Sequence, residues 1–292
     1  CSGQHDISSE AELNEIRYCD FFDGNITIHD MNLPAGATID LSKLKKIHGD
    51  ISIMHNIEIS QIAFRNLDEV DGRLKIQGNR QLTHIHTPSL TTVKSMEISV
   101  QPFLDSLSFP CQLTRLENFT LADTATKKIE GMAAKKMKNI HINNNANLKH
   151  LDLSQLEQVE GVIAVDANSP EMKLDLTGLR NLYQGEFRNL GSFDGLNNVE
   201  KVTGDLSFES SSFSTLLLPS ITQIYGTLTV ANNSLLQNLT ISELQIIGGA
   251  ILLSNNTQLA TVNAPKLKEV EGTVDITGNF NELHLPALVN VR

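Results

Sequence analysis

The 292-residue chain has no tryptophan, only three tyrosines (Tyr18, Tyr183 and Tyr225) and three cysteines. Exposed Trp and Tyr rings join an apolar face to a polar edge and floor many carbohydrate clefts, so a strong glycan platform is not expected, and a weak polar cleft is left open. No apolar run approaches the length of a membrane helix. No leader pattern opens the chain, which reads as mature or trimmed. Positive charge is scarce: 23 Lys and Arg against 34 Asp and Glu leave a formal charge of −11. That disfavours nonspecific binding to nucleic acid or to anionic membranes. The one basic stretch, Thr126 to Lys138, holds Lys127, Lys128, Lys135, Lys136 and Lys138. It reads as a solvated loop in preference to a docking patch for an anionic partner.

What the chain has is a repeat of about 22 residues. Val70 to Leu82 ("VDGRLKIQGNRQL"), Ile224 to Leu236 ("IYGTLTVANNSLL") and the segment from Val270 ("VEGTVDITGNFNEL") share one order. An aliphatic residue precedes a glycine, an alternating run follows, and an asparagine closes it. Gly24, Gly49, Gly72, Gly161, Gly204, Gly226, Gly249 and Gly272 mark twelve units, with the two long gaps divided. Self-similarity at this period means a solenoid. Alternation, as in Leu74-Lys75-Ile76, means strands with one face inward. Asn56, Asn79, Asn168, Asn233, Asn256 and Asn279 lie seven after their glycines. Asparagine tolerates left-handed dihedrals and bonds nearby backbone, so a stacked amide ladder is expected. A second apolar stretch ("LHLP") and a closing "LxxV" make up to three short strands per turn. No turn buries its own apolar face, and stacking buries it. At about 4.8 Å per strand, twelve turns stack to roughly 55 Å. The units at Ser95–Val100, Asn118–Asp123 and Asn139–Asn144 shift the apolar pair by one position, which predicts a bulge or altered turn there.

The expected fold class is all-β: a right-handed parallel β-helix of about twelve turns with a short N-terminal capping helix. Residues 1–23 form the helix cap and 24–292 the solenoid, with a seam near 183–203 if it is two halves. Cys1 and Cys19 bracket the helical pattern "SSEAELNEIRYC", which Ser8 or Ser9 caps, with Glu12 three after Ser9. A Cys1–Cys19 bridge would staple that helix, leaving Cys111 over as a free, buried thiol. Five sequons point to a secreted glycoprotein: Asn25, Asn118, Asn232, Asn238 and Asn255. Asn232 and Asn255 share one corner beside the ladder, and that offset should face solvent.

The first cysteine pair, the capping helix and the short turns resemble receptor L domains, the ligand-binding halves of insulin- and EGF-receptor ectodomains. Gly248 to Val262 and Val270 to Leu288 more closely resemble fungal cell-wall proteins of the extracellular-mutant and sporulation-specific type. The resemblance spans almost the whole chain and is most specific from Gly204 onward. It implies a secreted, glycosylated, GPI-anchored protein needed for wall organisation, without catalytic activity, at the cell surface. Partners would be wall polysaccharide or wall proteins, and membrane contact would come only through an anchor that this chain does not show. The family continues with further cysteines, a Ser-rich stalk and an anchor signal. The chain stops at Arg292, where another turn would begin. An uncapped end of this kind is expected to associate end to end unless a further segment covers it.

Parallel β-helices also build pectin-degrading enzymes, and catalysis needs acids or bases converging on one patch. His5, His29, His48, His55, His84, His86, His141, His150 and His284 fall at scattered offsets or in distant turns. The best carboxylate pair is Asp152 and Asp175 in "LDL(S/T)", near 5 Å apart in adjacent turns, with Asp40 in a distant copy of the motif. A solvated pair is preferred to a calcium site or a shared proton. No catalytic residue, metal site or cofactor is assigned. A leucine-rich-repeat receptor ectodomain binding a protein ligand is the alternative, since Leu74 to Asn79 fits "LxIxxN". The strand-like second half of each turn favours a β-helix. A β-helix lyase or hydrolase is the least favoured reading.

Overall fold

A computed structural model describes residues 1–292, which divide into two compact units. Unit 1 comprises Cys1–Lys135 and His141–Leu148, and unit 2 comprises Lys136–Ile140 and Lys149–Arg292. Each is a parallel β-solenoid, and the chain holds about thirteen turns.

In unit 1 the main sheet stacks Ser2–Ile7, Phe21–His29, Ile51–Met54, Glu69–Gln77, Thr92–Gln101 and Arg115–Thr124 in parallel. The register lays Ile7, Ile28, Ile53, Ile76, Ile98 and Leu121 in one column. All six are buried. Burying such side chains contributes roughly 1.5–3 kcal/mol each, and only the stack of turns makes that burial possible. A second sheet pairs Ala37–Asp40, Ile59–Ala63 and His84–His86.

Unit 2 repeats the plan. Its main sheet places Val165, Phe187, Phe208, Val230, Leu253 and Ile276 in one column. The pairing of Asn181–Arg188 with Leu206–Glu209 carries this sheet through residues 183–203. On the other face, His150–Asp152, Lys173–Leu176 and Ser192–Gly195 form one sheet. Thr215–Leu217, Asn238–Thr240, Thr261–Asn263 and Glu282–His284 form another.

Four local expectations change. First, Ser2–Ile7 is a strand paired with Phe21–His29, so residues 1–23 hold a whole turn and not only a helix. Gly3 lies opposite Gly24, one repeat earlier than the series read from the sequence. Second, the closing apolar residue and the run after the glycine belong to one sheet. A turn has two strands where they fuse, as in Glu69–Gln77 and Gln158–Asp166. It has the expected three where they stay separate, as in Lys201–Val202, Leu206–Glu209 and Thr215–Leu217, each pairing with its copy in the next turn. The position between the two runs needs glycine because the turns touch there. A Cβ on Gly24 would lie 2.0 Å from Gly3 O, and both glycines have positive φ.

Third, the irregular turns are the straight ones. Val70 pairs with Val93 but Arg73 with Ser95, so the extra residue belongs to the glycine-bearing strand. Thr92–Gln101 and Arg115–Thr124 then pair without a shift. Fourth, the left-handed residue precedes the ladder asparagine. His55, Gly78, Asn232 and Asn255 carry φ of 56°, 68°, 59° and 55° before Asn56, Asn79, Asn233 and Asn256.

The helix Glu10–Ile16 takes the place of a second strand in the first turn. Ser9 is its N-cap, and the backbone N–H groups of Ser8 and Ser9 donate to Glu12 Oε2 at 2.8 and 3.0 Å. Leu13 and Ile16 are buried beneath it. Cys1 and Cys19 are disulfide-bonded, with Cα atoms 5.6 Å apart. Cys111 is free and exposed, not buried, because it sits where the strand Ser106–Leu113 loses register with Lys128–Met132.

Candidate functional surfaces

The asparagines are structural in both units. In unit 1, Asn56 Oδ1 accepts from Met31 N, and its Nδ2 donates to Ile28 O and to Asn79 Oδ1, at 3.0–3.2 Å. Asn145 holds the same position in a turn the glycine count passed over, accepting from Thr124 N and donating to Leu121 O. In unit 2, Asn233 and Asn256 repeat the pattern. Each amide satisfies buried backbone groups at a corner where water is excluded. Asn279 is exposed.

The sequon asparagines differ in setting. Asn232, Asn238 and Asn255 are exposed, and Asn255 Nδ2 donates to Asn232 Oδ1 at 3.2 Å. Asn25 and Asn118 are half-buried, and Asn25 Oδ1 accepts from Asp50 N at 2.8 Å.

Asp152 and Asp175 are direct neighbours across their sheet, and Asp194 extends the column by one turn. Asp194 was missed because its turn, "SFDG", departs from the "LDL" pattern. These carboxylates face their own turns. Asp152 accepts from Ser154 N at 2.9 Å, and Asp175 from Thr177 N at 2.9 Å and Thr177 Oγ1 at 2.7 Å. The distant Asp40 does the same with Ser42. The Ser154 and Ser42 hydroxyls hold Asp152 and Asp40 below the ordinary carboxylate range. No group of three or more His, Cys, Asp or Glu is arranged to hold a metal ion.

The lysine stretch is not a loop throughout, since Lys128–Met132 and Lys136–Met137 are strands, and at least three of its five lysines are ion-paired. Lys127 pairs with Asp105 at 2.6 Å, Lys128 with Glu130 at 2.7 Å and Lys136 with Glu160 at 2.6 Å. The histidines do not converge, but two of them tie neighbouring turns together. His29 lies 2.8 Å from Asp6 and 3.0 Å from Asp30, and His48 lies 2.6 Å from Asp71. The Asp30 hydrogen bond and then Asp6 raise the His29 pKa against the opposing effect of burial. His84 and His86 stack with ring centres 5.9 Å apart.

Relatives supply what the surfaces do not. A family profile described as Receptor L domain matches residues 198–289. The chain is 32% identical to Protein ecm33 of Aspergillus fumigatus over 98% of its length and 71% of that protein. It belongs to the Ecm33 family of fungal cell-wall proteins. Sporulation-specific protein 2 of Saccharomyces cerevisiae is 30% identical over 99% of this chain and 57% of its own length. The Cell surface GPI-anchored protein of Arthroderma benhamiae is 26% identical over 100% of this chain and 74% of its own length. Cell wall protein ecm33 of Schizosaccharomyces pombe matches 76% of this chain, which spans only 52% of that relative. None of these Ecm33-family relatives carries an enzymatic name. Membership places the chain outside the cell, at the fungal wall. No solved structure matches.

Proposed function

We propose that the chain is a noncatalytic scaffold or recognition module of the fungal cell wall, held at the surface through a GPI anchor of the kind named for the Arthroderma benhamiae relative. Family membership carries the reading. The outward carboxylate column supports it, because Asp152 and Asp175 each commit Oδ1 to hydrogen bonds within their own turn. The inter-turn ion pairs and amide ladders support it too, since they stiffen a stack and leave no reacting group poised. Partners are wall polysaccharide or wall proteins.

Two measurements test this. Cells lacking the gene should show altered wall composition and stress sensitivity. The Asp152→Asn/Asp175→Asn protein should restore both. If that variant folds, reaches the surface and fails to restore the wall, a catalytic or metal role returns. Turnover of wall glucan, chitin or pectin by purified protein would overturn the noncatalytic reading directly.

A further inference from the structure

Unit 2 contains one turn that is too short. Val159 pairs with Leu182, 23 residues on, and Val202 with Ile224, 22 residues on, but Leu182 pairs with Val202 after only 20. The main sheet closes across this turn, with Gly185 to Arg188 pairing in register with Leu206 to Glu209. The corner also closes, where Ser212 N donates to Leu190 O at 2.8 Å. The missing residues therefore come out of the opposite face. There Ser192–Gly195 ends one sheet, Thr215–Leu217 begins the next, and no pairing joins them.

The break is a groove of about 500 Å³, within the range of about 300–1,000 Å³ for small-ligand sites. Phe193, which pairs in register with the buried Leu174, is only half-buried because the next strand fails to cover it. Its ring packs 5.1 Å from Phe208 and 5.2 Å from Phe187, so the floor is a fixed aromatic surface. Phe213 and the exposed Leu235 extend the apolar lining.

The polar lining comprises Ser192, Ser212, whose hydroxyl donates to Leu190 O, and Ser214, Thr215, Gln237 and Gln258. The side-chain hydroxyls and carboxamides of Ser214, Thr215, Gln237 and Gln258 make no hydrogen bond within the protein. Each of these groups both donates and accepts. None of the groove's residues carries a formal charge, in a chain with 34 acidic and 23 basic residues.

We infer that this groove binds a neutral saccharide chain. Ring hydroxyls of a sugar both donate and accept, as the free hydroxyls and carboxamides here do. The C–H face of a pyranose suits a fixed Phe ring flanked by Leu. The uncharged lining offers no partner to acidic or phosphorylated glycans, whose charge would be desolvated without compensation. The inference rests on the wall reading above for its source of ligand, and it locates the contact.

The test uses residues 1–292 with laminarihexaose, mannohexaose and chitohexaose as separate calorimetric probes. At least one is expected to bind. Ser214→Arg, which places bulk and charge in the groove, should weaken it by about tenfold or more. Gln237→Ala, which removes only hydrogen-bonding groups, should weaken it less. Leu217→Arg, on the same strand but outside the groove, should bind as wild type. Circular dichroism of each variant separates lost binding from lost fold. No binding of any probe at millimolar concentration, or binding unchanged by both groove variants, overturns the inference. An extended neutral peptide that binds where all three saccharides fail would reassign the groove to protein. The wall reading is judged separately: failure of the wild-type chain to restore the wall counts against it and leaves the groove measurement standing.

Discussion

Replacing Asn233 by alanine isolates the worth of one ladder amide. Asn233 is fully buried. Its Oδ1 accepts from Ser211 N at 2.9 Å, and its Nδ2 donates to Phe208 O at 2.9 Å and to Asn256 Oδ1 at 3.1 Å. Alanine removes all three bonds. Asn256 Oδ1 keeps the Asn233 backbone N–H at 3.0 Å, so it is not orphaned. Ser211 N is left without an acceptor, while Phe208 O, inside the paired strand Leu206–Glu209, loses only an additional donor. A buried polar group left unsatisfied costs about 1–3 kcal/mol, so the orphaned Ser211 N predicts a loss of about that size. The paired control is Asn232→Ala, one residue earlier and exposed. Its φ is left-handed at 59°, but asparagine and alanine both carry a Cβ. The change removes only the local side-chain bonding that eases asparagine into that region and the exposed bond from Asn255 Nδ2, a cost of under about 1 kcal/mol. Because stability in stacked repeats is a sum of local and neighbour terms, a single global midpoint would blur the effect. Amide hydrogen exchange on Leu206–Glu209 and Leu228–Ala231 reads it locally. Protection there should fall by about tenfold for each 1.4 kcal/mol lost. A loss at Asn233 no larger than at Asn232 would refute the claim that the ladder satisfies backbone groups otherwise unpaired.

Three further outcomes are expected. Changing Cys1 and Cys19 to serine should destabilise the first turn by roughly 3 kcal/mol, from loop closure over 18 residues. Proteolysis within Ser2–Ile16 reads this, while Cys111 in the untreated fold should react with a thiol reagent. Glycopeptide mass spectrometry of protein from a eukaryotic host should find glycans at Asn232 or Asn255; unmodified asparagine at both would sink the corner assignment. His29 has a raised folded pKa. Its stabilising contribution is therefore complete below the unfolded pKa near 6.5 and is lost as pH rises through the folded value. Denaturation midpoints across that window should fall with rising pH more in wild type than in His29→Gln, and equal slopes would remove His29 from the account.

The sequence by itself determined the solenoid. A glycine, an alternating run and an asparagine at fixed spacing are local signals, and repetition multiplied them until only stacked-turn folds fitted, the β-helix and the leucine-rich repeat. The capping box at Ser9 and Glu12 and the exposed corner at Asn232 and Asn255 were equally legible, because each depends on residues close in the chain. The tertiary structure decided whatever depends on register between turns. Ser2–Ile7 became a strand because Gly3 and Ile7 found Gly24 and Ile28 to pair with, although "QHD" hides the alternation. Asp194 joined Asp175, Asn145 took a ladder position, and the extra residue went to the glycine-bearing strand, since stacking compares one turn with the next. The groove at Phe193 is the clearest case. A turn of 20 residues between turns of 23 and 22 can be counted in the sequence once the pairing is known. Which face lost the residues was decided only by packing, because the Phe187–Phe208 pair kept the main sheet closed and left the opposite face to open.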